Sequence, residues 1–213
     1  GPTAALVRGM AARAVQLGHK VSGFDAYAVS DVLPGSGLSS SAAYEVLVGV
    51  LINHLFCGDA FDPVTIAQMG QYAENVFFDK PCGLMDQMAS SVGGAVAIDF
   101  EDPKKPIVRQ VKVDLEKEGY ALCIIDSGAD HADLTAEYAA IPAEMKAVAA
   151  SFGKEVLRQV PQEEFYDRLP QLRKEHGDRA VLRAMHFYAD DRRAAAEADA
   201  LAAGDFDAFL RLV

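Results

Sequence analysis

The stretch of sequence that decides the fold is Leu33-Pro34-Gly35-Ser36-Gly37-Leu38-Ser39-Ser40-Ser41-Ala42-Ala43. Residues 23–32, just before it, alternate in polarity and predict a β-strand, whereas residues 42–55, just after it, are apolar nearly all round and predict a buried helix. A glycine-rich turn that opens a helix presents free backbone N–H groups at the positive end of the helix dipole. Gly35 and Gly37 let a ligand approach the backbone, and the serines supply hydroxyls for phosphate oxygens or Mg²⁺. The stretch therefore predicts a loop that binds the phosphates of a nucleotide.

This loop differs from the two common nucleotide-binding patterns. The dinucleotide fingerprint needs a third glycine, or an alanine, where the chain has Ser40, together with an acidic residue about 20 positions later. The Walker-type loop needs Gly-Lys followed by Ser or Thr, which the sequence lacks. The run from Pro34 to Ala42 resembles instead the phosphate loop of the GHMP small-molecule kinases. The resemblance implies that the nucleotide is bound by the loop residues Gly35, Ser36, Gly37, Leu38, Ser39, Ser40, Ser41 and Ala42.

A second motif, Pro81-Cys82-Gly83-Leu84-Met85-Asp86-Gln87-Met88, follows later in the chain. Taken alone, an aspartate at the start of a helix is most often a first-turn charge that interacts with the helix dipole. However, Cys-Gly-x-Met-Asp-Gln resembles a segment of the galactokinase branch of the GHMP kinases, and the two motifs occur in the same order there. The resemblance implies that Gly83 contacts the sugar through its backbone. It also implies that Asp86 accepts the proton of the C1 hydroxyl, or orients that hydroxyl, for attack on the γ-phosphate of ATP.

Glu74 and Tyr138 are two further candidate site residues that depend on the resemblance. An Asp-Pro pair at 62–63 predicts the start of a helix that carries Glu74, which taken alone is most simply a solvated charge. In GHMP kinases a loop serine and a later glutamate hold Mg²⁺, which implies this role for Ser41 and Glu74, since Mg²⁺ prefers hard oxygen ligands. The neighbouring Ser40 stays an alternative to Ser41. Tyr138 matches a sugar-contacting tyrosine of the family, and the alternative is a half-buried aromatic on an amphipathic helix.

The composition of the 213 residues, 51% hydrophobic and 24% charged, is that of an ordinary globular protein of one or two domains. A formal net charge of −11 disfavours nucleic acid and anionic membrane surfaces as partners, though not ATP. Three cysteines without a Cys-x-x-Cys pair favour a reducing cytoplasm over a disulfide framework, and the sequence has no apolar run long enough to predict a membrane span. The resemblance implies that the partners are a small-molecule sugar and ATP, and the sequence leaves the oligomeric state open.

The pattern along the chain predicts mixed strands and helices, followed by a mostly helical part. Helices are expected over 3–17, from 63 onward, over 84–91, 131–152, 162–173 and 178–203, with Pro142 kinking or dividing one of them, and strands over 95–100, 107–115 and 120–126. The change in composition near residue 115 predicts domains 1–114 and 115–213. The resemblance implies the α+β, two-lobed GHMP kinase fold, in which these domains belong to the N-terminal, nucleotide-loop lobe and to the C-terminal lobe.

The sequence lacks two motifs of full-length family members, an N-terminal sugar motif and a C-terminal glycine-rich motif. It also begins with Gly-Pro and stops inside an uncapped helix. We therefore expect a central piece of a longer kinase, incomplete at both ends of the fold and inactive alone. The resemblance implies that the longer protein transfers a phosphoryl group from Mg-ATP to the C1 hydroxyl of galactose. Two alternatives stay open: another sugar 1-kinase, such as one for N-acetylgalactosamine, and a non-catalytic sugar sensor.

Overall fold

Residues 2–32, 37–102, 104–125 and 135–213 are described by the computed structural model, which separates the chain into two units, Gly1–Gly94 and Ala95–Val213. In the described part of the first unit the elements are α1 (Pro2–Gln16), α2 (Ser40–Phe56), α3 (Pro63–Tyr72), a π-helical turn that continues α3 (Ala73–Phe77) and α4 (Met85–Val92). In the second unit they are β1 (Ala95–Asp99), β2 (Ile107–Val111), α5 (Thr135–Ala150), a 3₁₀ turn (Leu157–Gln159), α6 (Gln162–Asp167), α7 (Leu169–Ala202) and α8 (Phe206–Leu212).

Capping residues next to the helices of the first unit mark where these helices begin and end. Asp62 caps α3, because its Oδ1 accepts a hydrogen bond from the backbone N–H of Thr65 at 2.7 Å, and Pro63 takes the first helical position. Gly18, with φ 96°, lies just past the end of α1 in a conformation that glycine adopts without steric cost. Helices α1, α2 and α3 pack on one another around a buried core of Met10, Ala14, Val48, Ile52, Cys57, Met69 and Ala73.

The second unit combines an antiparallel strand pair with a helical core. β1 and β2 pair with Ala95 opposite Val111 and Asp99 opposite Ile107. Gly177, at φ 80° and ψ 167°, interrupts α7, so a long helical stretch starts at residue 178 and runs to Ala202. The buried core consists of Val148, Ala149, Leu157, Val160, Phe165, Leu172, Ala180, Val181, Ala184 and Tyr188. Most of these core residues belong to α5 and α7, which pack against each other.

The structure confirms the α+β fold class and most of the predicted helices, but corrects several local predictions. Residues 23–32 do not form the predicted strand; the side chain of Tyr27 is 94% exposed, and no described strand pairs with this segment. The described residues 120–125 form no strand either, and β2 ends at Val111, short of residue 115. Polarity alternation shows only that a segment fits a sheet surface, whereas a strand also needs a partner to satisfy its backbone.

Four further outcomes concern the helices and the division of the chain. α2 is buried on one face only, since Leu47, Val50 and Leu55 are exposed, and α5 continues through Pro142 as one helix. None of the helices in the described residues is long and apolar enough to cross a membrane. The two units divide after Gly94; the boundary that the composition places after residue 114 stays a prediction about the family's two lobes.

Candidate functional site

The candidate site begins at the N-terminus of α2, where the predicted phosphate loop enters the helix. Ser39, the N-cap residue, has φ 56° and ψ 48°, a left-handed conformation that non-glycine residues adopt rarely. Its side chain makes no capping hydrogen bond, so it does not compete for the N–H groups that an anion binds at a helix N-terminus. Of the predicted phosphate-binding residues, Gly35 and Ser36 lie outside the described residues. The others are described at the start of α2: Gly37, Leu38, Ser39, Ser40, Ser41 and Ala42.

The structure brings together Ser41 and Glu74, the two residues expected to hold Mg²⁺. The Ser41 hydroxyl donates to Oε1 of Glu74 at 3.4 Å, and the Lys80 ammonium lies 3.4 Å from the same oxygen. Glu74 belongs to the π-helical turn, a rare expansion of the helix that is often found at functional sites. Its side chain is buried, contrary to the solvated charge that its position in the sequence suggests when taken alone.

Glu74 also belongs to a buried polar cluster with Glu45 and Gln87, two residues to which the sequence analysis assigns no role. The three residues are 0%, 2% and 2% exposed, respectively. The side-chain amide of Gln87 donates to Oε2 of Glu45 at 3.0 Å and to Oε2 of Glu74 at 3.1 Å. One signal could have revealed Glu45: it is a charged residue in an otherwise apolar helix, and it lies one turn after Ser41, on the same helix face.

The electrostatics of the cluster follow from its burial. Burial raises the pKa of Glu45 to about 8, and the neighbouring Glu74 carboxylate adds to the increase, while the hydrogen bond from Gln87 opposes it. Burial, followed by the charge of Glu74, likewise raises the pKa of the Cys82 thiol to about 12. A protonated Glu45 avoids the repulsion between two adjacent buried carboxylates, and a neutral Cys82 is no nucleophile. In the described part of the chain, Oε1 of Glu45 and Oε1 of Gln87 have no hydrogen-bond partner.

Asp86 and Gly83, the expected catalytic and sugar-binding residues, belong to the segment that enters α4. Both are exposed, and no described side chain is paired with the Asp86 carboxylate. Leu84, Gln87 and Met88 are buried, so α4 turns its other face to the interior while Asp86 stays accessible. This entry segment is tied to the π-helical turn because the backbone N–H of Cys82 donates to Oδ1 of Asn75 at 2.7 Å. Asn75 was also missed by the sequence analysis.

Tyr138, the remaining predicted residue, lies on α5 of the second unit, and its side chain is exposed. The donor set in the first unit suits Mg²⁺, because a serine hydroxyl and a carboxylate oxygen are hard ligands of the kind this ion takes. In the described ranges no group of three or more His, Cys, Asp or Glu side chains could hold a metal ion. Mg²⁺ does not require one, since it is commonly bound through one or two protein oxygens together with waters and substrate phosphates.

Comparison with known proteins defines the class of this fold and site. Residues 5–94, nearly the whole first unit, match the model of the GHMP kinases N terminal domain, and this unit belongs to that family. Its curated relatives include several galactokinases. The chain is 34% identical over 190 residues to the galactokinase of Streptomyces coelicolor, covering 89% of this chain and 48% of that protein.

Two other galactokinases match the chain with similar identity and coverage. The human galactokinase is 37% identical over 194 residues, or 90% of this chain and 47% of that protein. The galactokinase of Actinobacillus pleuropneumoniae is 35% identical over 184 residues, or 86% of this chain and 46% of that protein. The chain therefore spans about half the length of the curated relatives that it matches, and the similarity extends through both of its units.

Proposed function

We propose that the full-length protein containing this chain is a galactokinase, which transfers the γ-phosphoryl group of ATP to the C1 hydroxyl of galactose in the cytoplasm. The observation that carries the proposal is the pairing of Ser41 with Glu74 beside the N-terminus of α2, in a chain whose relatives are named galactokinases. This pairing offers oxygen ligands for a divalent ion next to N–H groups suited to phosphate.

In the proposed mechanism the chain's own residues bind, orient and accept a proton. The loop from Gly35 to Ala42 holds the phosphates through backbone N–H groups and hydroxyls. Ser41 and Glu74 would hold Mg²⁺, which when bound neutralises charge on the β- and γ-phosphates. Because phosphoryl transfer depends mainly on positioning and charge neutralisation, a fixed ion site and phosphate cradle supply much of the catalysis.

The sugar side of the proposed reaction depends on the exposed face of α4. Asp86 accepts the proton of the C1 hydroxyl as its oxygen attacks the γ-phosphorus, and Gly83 and Tyr138 contact the sugar. Asp86 suits this role because its carboxylate is accessible while the helix that carries it is anchored by buried neighbours. A general base of this kind contributes about 10²- to 10⁴-fold to the rate.

The test is ADP release by the full-length protein across a panel of sugars, for the wild type, Asp86→Asn and a matched control, Asp207→Asn. Asp86 and Asp207 are both exposed first-turn aspartates of short helices, so both substitutions remove the same helix-dipole interaction. We expect galactose-dependent turnover that falls at least about 100-fold in Asp86→Asn and less than about twofold in Asp207→Asn.

Other outcomes decide between the alternatives. Faster turnover with N-acetylgalactosamine than with galactose would establish a different sugar 1-kinase. Binding of ATP and galactose without turnover would establish a sensor. If Asp86→Asn kept wild-type turnover, Asp86 would not be the base, whatever the sugar.

A further inference from the structure

Gln87 makes the contact that decides which oxygen of Glu74 is available to an ion. Its side-chain Nε2, which has two N–H groups, donates to Oε2 of Glu45 at 3.0 Å and to Oε2 of Glu74 at 3.1 Å, and Sγ of Cys82 is a third, more distant acceptor at 3.6 Å. With Oε2 held in this way, Oε1 of Glu74 is the oxygen that lies beside the Ser41 hydroxyl, at 3.4 Å. The Glu74 carboxylate is therefore held at Oε2 by the buried amide of Gln87, while its Oε1 faces the Ser41 hydroxyl and the Lys80 ammonium, each at 3.4 Å.

We propose that Gln87 is a positioning residue for the ion: it fixes the rotation of the Glu74 carboxylate so that Oε1 is presented to Mg²⁺ together with Ser41. This inference rests on the proposed function, which makes Ser41 and Glu74 the ion's protein ligands. Residues that hydrogen-bond to metal ligands typically matter by about 10- to 100-fold in metal affinity or activity. Gln87 is such a residue, because its side chain donates a hydrogen bond to Glu74.

The surroundings hold Gln87 in the position that this role requires. Its side chain is 2% exposed, and Gly70 of α3 lies so close that an added Cβ would come within 3.1 Å of both Gln87 Cγ and Glu45 Oε2. The amide therefore has no room to swing away from the two carboxylates. Gln87 also follows Asp86 directly, so α4 carries the proposed base on its exposed side and the positioning amide on its buried side.

A purely structural role would satisfy two buried carboxylates without affecting the ion, and the experiment separates the two roles. In the full-length protein, Gln87→Met keeps the length of the side chain but removes both N–H donors. Gln71→Met is the matched control, because Gln71 donates to the Cys82 carbonyl oxygen at 3.4 Å but has no described contact with either glutamate. Glu74→Gln serves as the reference for loss of a ligand.

The main measurement is the Mg²⁺ concentration that half-saturates binding of a fluorescent ATP analogue, taken well below the thermal unfolding midpoint of each variant. We expect Gln87→Met to raise this concentration about 10- to 100-fold, with the galactose KM unchanged, whereas Gln71→Met leaves it unchanged. Gln87→Leu, which also removes both donors and adds no charge, decides by the same criterion if Gln87→Met does not fold.

The outcomes distinguish failure of the inference from failure of the proposed function. If Glu74→Gln abolishes the Mg²⁺ dependence but the Gln87 variants keep the wild-type half-saturating concentration, the inference is wrong and the proposed function stands. If the wild type itself shows no Mg²⁺-dependent nucleotide binding, the proposed function fails at its first step. Loss of thermal stability in a Gln87 variant with unchanged Mg²⁺ dependence would assign Gln87 a structural role only.

Discussion

At the scale of single residues, the serine run at the start of α2 shows how helix geometry selects among chemically identical candidates. Successive residues of a helix point about 100° apart, so Ser40 and Ser41 cannot both face the same neighbour. Ser41 is the one whose hydroxyl contacts Glu74. It also shares its helix face with the buried Glu45, four residues later. The sequence leaves the choice between the two serines open, and this geometry favours Ser41 as the ligand.

The first prediction is that Ser41→Ala and Ser40→Ala differ in their effect on Mg²⁺ dependence. Ser41→Ala removes a proposed ligand, so the Mg²⁺ concentration that half-saturates ADP release should rise about tenfold or more. Ser40→Ala should change it less than about threefold, because its hydroxyl is directed elsewhere on the helix. The measurement is a Mg²⁺ titration of both variants in the full-length protein. A larger effect of Ser40→Ala would reverse the assignment.

Some residues of the candidate site can be recognised from sequence motifs, whereas the role of others depends on how distant helices pack together. Ser41, Glu74 and Asp86 occur in motifs whose spacing is visible in the sequence. Gln87 lies in the same motif as Asp86, and Glu45 is a charged residue in a largely apolar helix, but neither pattern shows that the two side chains meet, because that depends on which helices pack together. Their burial follows from the packing of α2 against α3 and α4, a contact between segments far apart in the sequence.

At the scale of elements, the π-helical turn 73–77 connects the site to the core of the first unit. It packs against α1, and it carries Glu74 toward the buried cluster. The backbones of α1 and the π-helical turn lie close together, because a Cβ added at Gly9 of α1 would lie 2.6 Å from both Cα and Cβ of Ala73. Because one of these atoms belongs to the backbone, the neighbour cannot move aside as the end of a flexible side chain would.

The corresponding prediction is that Gly9→Ala destabilises the protein although alanine is the better helix former. Helix propensity favours alanine over glycine by about 1 kcal/mol, whereas overpacking a tight contact costs about 1 to 3 kcal/mol. With two contacts at 2.6 Å, we expect the steric cost to dominate and the free energy of unfolding to fall by about 1 to 2 kcal/mol. Denaturant unfolding of the full-length protein measures this. Gly23→Ala is the control, because an added Cβ there meets no atom within 4 Å. A more stable Gly9→Ala variant would show that the contact relaxes.

The elements also show where prediction from the sequence reaches its limit. The α-helices could be predicted because their hydrogen bonds are local and their caps, such as Asp62 and Gly204, lie next to them in the sequence. The predicted strands at 23–32 and 120–126 depend on pairing with distant segments, which no local pattern specifies. Strands β1 and β2 do form within the segments predicted at 95–100 and 107–115, because two strands so close in the sequence can pair with each other locally.

At the scale of the whole molecule, the chain spans about half the length of its galactokinase relatives, and two segments without regular secondary structure carry exposed apolar side chains. Tyr27 and Val29 are 94% and 78% exposed in the first unit, and Leu122 and Ile125 are 80% and 88% exposed in the second. Segments that expose several apolar side chains tend to associate with other chains. The 213 residues alone should therefore behave differently from the full-length protein.

The last prediction compares the isolated 213-residue chain with the full-length protein. We expect the isolated chain to show no galactose-dependent ADP release, to bind an apolar dye and to elute above its monomer mass of 22.8 kDa in size-exclusion chromatography. A variant of the isolated chain with Tyr27→Lys, Val29→Lys and Ile125→Lys is the control, since charges in these segments should reduce both dye binding and association. We expect this variant to be inactive as well, and that result would show that association is not the cause of the inactivity. An isolated chain that is monomeric and phosphorylates galactose would show that all the residues needed for catalysis lie within it.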